Sequence, residues 1–82
     1  MIPFATFIDG KLRWNYQPRG KQRYRIVMWA KSENGHRDEV EVKPKSACTI
    51  SDLLPIVDEH LKTLLDNRTD LIGYGFSAYV WS

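Results

Sequence analysis

The chain has a single cysteine, Cys48, in 82 residues. One thiol forms no internal disulfide, and small secreted domains of this size lean on several, so the expected setting is a reducing, cytoplasmic compartment. Long hydrophobic runs are missing as well. The opening stretch, residues 1–8, is apolar, but it carries no basic flank and stops at Asp9, which argues against a signal peptide. No run approaches the roughly 20 apolar residues of a membrane span, so no membrane partner is expected. The sequon Asn67-Arg68-Thr69 is then expected to stay idle, because glycosylation requires secretion.

Catalytic signatures are equally scarce. There is no nucleophile elbow, no Walker loop and no dinucleotide fingerprint. His36, Cys48 and His60 are scattered, with no close pair of ligands of the kind that marks a zinc site. Asp58 and His60 stand two residues apart, and on a helix such residues point in different directions. Cys48 precedes a predicted helix, where a thiol pKa can fall. A lone cysteine at a strand–helix junction nevertheless reads first as a small buried residue. The expectation is a binding protein rather than an enzyme, with no metal, no cofactor and no small-molecule substrate.

Charge of one sign is absent from one stretch. Lys11 to Lys31 carries seven cations (Lys11, Arg13, Arg19, Lys21, Arg23, Arg25, Lys31) and no carboxylate. Residues 1–45 hold ten Lys or Arg against five Asp or Glu, and residues 46–82 hold two against five, which together make the net charge of +2. A local positive field of this kind attracts polyanions.

The composition, 43% hydrophobic and 27% charged, is that of a globular domain, and the length suits a single one spanning residues 1–82. Residues 4–8 are aromatic and β-branched and end at Asp9-Gly10, a strong hairpin signal. Leu12, Trp14 and Tyr16 alternate with polar residues until Pro18-Arg19-Gly20 breaks the run. Residues 23–30 form the strongest strand candidate, with Tyr24, Ile26, Met28 and Ala30 on one face and Arg23, Arg25, Val27 and Trp29 on the other. A turn at Glu33-Asn34-Gly35-His36 leads to a strand around Val40 and Val42 that Pro44 ends. These four strands are expected to form an antiparallel meander.

The period then changes. Ile50, Leu53, Leu54, Val57, Leu61, Leu64 and Leu65 recur at three- and four-residue intervals, which predicts one amphipathic helix. Thr49 with Asp52 resembles a capping box. Pro55 either places the regular start near Ser51 or Asp52 or kinks an opening turn. Residues 67–70 end the helix, with Asp52 and Arg68 placed to suit its dipole. Residues 71–81 return to strand, with Tyr74, Phe76, Ala78 and Val80 on one face and Gly75, Ser77, Tyr79 and Trp81 opposite. Gly73 and Gly75 signal a bulge or a close backbone approach. The predicted class is α+β: an antiparallel sheet of four to five short strands with one helix packed on one face, in the order βββ(β)–α–β. Sheet-plus-helix DNA readers such as integrase arm-binding domains share the strand–strand–strand–helix order, but the strand after the helix departs from that pattern and the family reading fails on it.

Two binding readings follow. In the first, DNA or RNA meets a basic-aromatic sheet face and turn, with Arg13, Arg19, Lys21, Arg23 and Arg25 on phosphates and Trp14 and Trp29 stacking on bases. In the second, Trp29, Tyr79 and Trp81 anchor a protein partner, as in an adaptor or inhibitor of the viral or mobile-element accessory kind. That second reading includes a homodimer in which the C-terminal strand, at a sheet edge, pairs with its own copy.

Overall fold

The computed structural model describes residues 2–66 and 68–81. The elements are β1 (Ala5–Ile8), β2 (Lys11–Trp14), β3 (Tyr24–Ser32), β4 (Arg37–Val42), α1 (Ile50–Leu65) and β5 (Leu71–Val80), an α+β domain with one helix against an antiparallel sheet. Local chemistry accounts for the tight turns. Asp9 and Gly10 both have positive φ, at 54° and 77°, as a two-residue hairpin requires, and they set the pairing of Ile8 with Lys11. Thr49 caps α1. Its hydroxyl accepts from the Asp52 N–H at 3.3 Å, and the Asp52 carboxylate accepts from the Thr49 N–H at 3.4 Å. Pro55 lies inside the helix as its sixth residue, where it withholds one N–H from the ladder without ending it.

The strands do not form a meander. The sheet order is β2-β1-β5-β3-β4, so the last strand inserts between the two hairpins and pairs antiparallel with both β1 and β3. This corrects the expectation of a C-terminal edge strand. β5 has neighbours on both sides and offers no free edge to a second copy; the edges are β2 and β4. The physical reason lies in composition. β5 carries no charged residue, whereas β2 holds Lys11 and Arg13 and β4 holds Arg37, Asp38, Glu39 and Glu41, and charge is what keeps exposed edges from pairing with other chains.

The core lies between α1 and one face of the sheet. Ile26, Met28 and Ala30 of β3 are fully buried, joined by Ala5, Phe76, Ala78, Val42, Leu53 and Val57. The helix packs across β3 and β4. The rest of that face is covered largely by aromatic rings. Phe7 stacks on Phe76 at 5.5 Å and 6°, and Phe4 stacks on Trp14 at 6.1 Å. A bulge shifts the β3–β5 register between Lys31 and Ser32. Gly75 marks the close approach that its sequence position signals: a Cβ there would lie 2.1 Å from the Phe7 carbonyl oxygen.

The helix ends earlier than expected, at Leu65 with Asp66 as C-cap, and Asn67 with its sequon falls outside the described residues. Arg68 serves the helix C-terminus only through its backbone, whose N–H donates to the Leu65 carbonyl at 3.3 Å. Its guanidinium hydrogen-bonds Asp38 of β4, tying that edge to the segment entering β5, and His36 Nε2 meets the other Asp38 oxygen at 2.8 Å. The Arg68 hydrogen bond, aided by His36 and opposed by partial burial, holds the Asp38 carboxyl below the usual carboxylate range. A group so shifted stabilises the fold fully above its unfolded value, near 4, and loses that contribution as pH falls through the lower folded value. In urea unfolding, Asp38→Asn should therefore be less stable than the parent at neutral pH, with the gap closing as pH falls below about 4. A gap that persists unchanged in acid would contradict this account of the ion pair.

Candidate nucleic-acid interface

The second face of the sheet has no helix over it. Because side chains alternate along a strand and paired residues share a face, the registers assign this open face directly. It carries Lys11 and Arg13 of β2, Thr6 and Ile8 of β1, Gly75, Ser77 and Tyr79 of β5, Arg25, Val27, Trp29 and Lys31 of β3, and Arg37, Glu39 and Glu41 of β4. Lys43 and Trp81 extend it at one end, with the lysine over the indole. Six cations (Lys11, Arg13, Arg25, Lys31, Arg37, Lys43) face two carboxylates there. The outer surface of α1 and its C-cap has the opposite balance, with Asp52, Asp58, Glu59 and Asp66 exposed against Lys62. The sheet thus separates charge: one side of the molecule is basic and the other acidic.

The aromatic rings of the open face are each overlaid by a cation. The Arg37 guanidinium stands 5.0 Å from the Trp29 ring centre, Arg25 stands 5.7 Å from Tyr79, and Lys43 Nζ stands 4.1 Å from Trp81. Trp29 lies along the sheet rather than upright, with its indole carbons 3.6 Å from a Cβ built at Gly73 and 3.0 Å from one built at Gly75. The carboxylates position the same cations. Glu41 accepts from Arg25 at 2.8 Å and from Lys43 at 2.8 Å, and Glu39 pairs with Arg37 at 3.0 Å. Lys43, with Arg25 next in weight, holds the Glu41 carboxyl below its ordinary range. All these pairs are solvent-exposed, so they order the surface more than they stabilise the fold.

The β1–β2 side differs. Thr6, Ile8, Lys11 and Arg13 line an open depression of about 230 Å³. Among the described residues, neither Lys11 nor Arg13 makes an ion pair.

Of the residues expected to contact nucleic acid, Arg13, Arg25 and Trp29 share the open face. Trp14 does not. It pairs with Ala5, lies on the helix side and stacks on Phe4, so it packs against the core and is no base-stacking platform on the basic face. Alternation puts Arg13 and Trp14 on opposite faces; adjacent residues of one strand cannot work together on a sheet surface. Arg19 and Lys21 sit in the exposed connection 15–23 between β2 and β3. Arg23 precedes β3 and donates to the Lys45 carbonyl at 3.2 Å. Tyr79 and Trp81, expected on a protein-binding surface, share the open face with Trp29.

Sequence reasoning counts Lys11 and Lys31 in the basic stretch without singling them out as contacts, and it misses Arg37 and Lys43 as members of this surface. Arg37 opens β4 and Lys43 follows its last residue, with Glu39 and Glu41 at alternate positions between them, a period visible in the sequence, but only the β3–β4 register and the Lys43 contacts with Glu41 and Trp81 show that they join Trp29 and Arg25. Cys48 is half-buried, its backbone bonded both ways to Gln22, and burial followed by nearby Asp52 pushes its thiol above the ordinary range, the opposite of an activated nucleophile. No group of three metal-ligating side chains converges among the described residues, and no described helix is long and apolar enough to cross a membrane. No family model, curated protein or solved structure matches the chain.

Proposed function

We propose that this protein binds nucleic acid on the open face of its sheet. The observation that carries the reading is the sorting of charge: six cations and three aromatic rings share the uncovered face, while the carboxylates of α1 occupy the opposite side. Such a field draws a polyanion to one side of a molecule whose net charge is only +2. Phosphates meet Lys11, Arg13 and Lys31, and bases meet the ring-bearing half. Arg19, Lys21 and Arg23, in or next to the β2–β3 connection, extend the cationic surface beyond the sheet.

A second reading also has an observation behind it. Arg25, Arg37 and Lys43 are already matched by Glu39 and Glu41, and Trp, Tyr and Arg in alternation are the make-up of protein–protein hot spots. On this reading Trp29, Tyr79 and Trp81 anchor a protein partner, as an adaptor or inhibitor would.

Titration of the protein with oligonucleotides, followed by tryptophan fluorescence at two salt concentrations, separates the two. Trp29 and Trp81 lie on the proposed surface, so binding should quench emission saturably and weaken steeply as salt rises. Unchanged emission with every nucleic acid at low salt would overturn the first reading in favour of the second.

A further inference from the structure

We infer that the nucleic acid taken by the open face is single-stranded, with its phosphate backbone over the β1–β2 depression and its bases turned toward the rings of β3 and β5. This rests on the proposed nucleic-acid reading and goes one step past it. The first ground is width. Five strands at the usual interstrand spacing put about 19 Å between the outer strands. The major groove of a duplex is about 12 Å wide and admits a helix or a two-stranded ribbon. A face of this breadth meets a duplex only at its outer phosphates, which leaves the rings on β3 and β5 without a base.

The second ground is how the face is divided. The depression at Thr6, Ile8, Lys11 and Arg13 has two cations, no carboxylate in its lining and no aromatic ring, which suits phosphate and nothing flat. The rings lie on the other half, each with a cation over its face. A base stacks either on the guanidinium plane of Arg25 or Arg37 or, by displacing the cation, on the ring beneath it. Between the halves, Gly75 of β5 is buried beneath the Trp29 indole, and a chain crossing from one half to the other runs over the small side chain of Ser77 beside it. Three interstrand steps from β2 to β3 make roughly 14 Å, a distance a single strand crosses within a few nucleotides. The cations touch phosphates and the rings touch base planes, so single strands of DNA and RNA are bound alike.

The test is fluorescence anisotropy with three labelled probes of one length: a single-stranded DNA, a single-stranded RNA and a DNA duplex. Both single strands should bind at least about tenfold tighter than the duplex, the scale of one base–ring stack. Trp81→Ala, at an exposed position that folding tolerates, should narrow that gap severalfold while leaving the salt slope unchanged, because it removes a stack and no charge. Duplex binding as tight as, or tighter than, the single strands would overturn the single-strand inference and leave the nucleic-acid reading standing. Failure of all three probes at low salt would overturn both.

Discussion

Replacing Lys11, Arg13 and Lys31 together by alanine is expected to weaken binding to a single-stranded oligonucleotide about a hundredfold at roughly 0.1 M salt. These are the open-face cations that make no ion pair among the described residues, so each is free to meet a phosphate. For single strands each phosphate contact contributes about 0.7 to the slope of log affinity against log salt. Losing three contacts should lower that slope by about 2, which is about two log units at 0.1 M. Lys62→Ala provides the control. It removes one unit of charge, against three in the triple variant, from the outer surface of α1, where Lys62 pairs with Asp58 at 3.1 Å, and it should leave affinity and slope nearly unchanged. If Lys62→Ala cost about a third of the triple variant's loss in log affinity, net charge rather than the sheet face would account for binding, and the interface would be misplaced. All three substituted side chains are exposed, so the unfolding midpoint should move little.

Gly75→Ala should be the most damaging small substitution in the protein, with a loss of about 3 kcal/mol or more. A Cβ at that position would sit 2.1 Å from the Phe7 carbonyl oxygen and 3.0 Å from the Trp29 indole. Neither neighbour can give way cheaply. The carbonyl belongs to the β1 backbone that pairs with β5, and the indole lies across the sheet beneath Arg37. Against a total stability of about 4–12 kcal/mol for a domain of 82 residues, that loss is a large fraction. It should lower Tm by roughly 12–24 °C. Gly73→Ala tests the mechanism. The nearest atom there is a Trp29 ring carbon at 3.6 Å, an ordinary van der Waals contact, and its φ lies outside the positive range. Its effect should stay within about 1 kcal/mol in either direction. Equal losses at both positions would mean that strand propensity, rather than the Phe7 and Trp29 contacts, makes glycine necessary at Gly75.

Several features of the fold were legible residue by residue. The alternation of Tyr24, Ile26, Met28 and Ala30 against Arg25, Val27 and Trp29 matches buried and open faces of β3. Asp9-Gly10 is a two-residue turn, Thr49 and Asp52 form the cap of α1, and Gly75 is a point of close approach. The candidate site was legible only in part. Arg13, Arg25 and Trp29 read as a basic-aromatic group and do share a face, but Trp14, which the same stretch contains, lies on the other side, as its alternation with Arg13 requires. The pairing of Lys11 and Arg13 on the open face is hidden for the same reason. The neighbour of Arg13 in sequence is Trp14, whereas its neighbour on the open face is Thr6, across the hairpin.

The inserted position of β5 is the feature that local reading did not reach. A strand with no charge between Leu71 and Val80 is suited to the middle of a sheet, and that composition was in view. Composition restricts where a strand may lie without choosing its partners. The face that Trp29, Tyr79 and Trp81 have in common exists because β5 lies between β1 and β3, bringing the end of the chain against its beginning. By itself the sequence determined the elements, their turns and the two faces of each strand, since hydrophobic period, capping and backbone sterics act between residues a few positions apart. The tertiary structure alone decided which strands are neighbours, and with them which cations and rings form one surface and which side of the molecule stays acidic. Strand pairing joins residues as distant as Ala5 and Ala78, and which pairing wins depends on how the whole sheet closes over one helix.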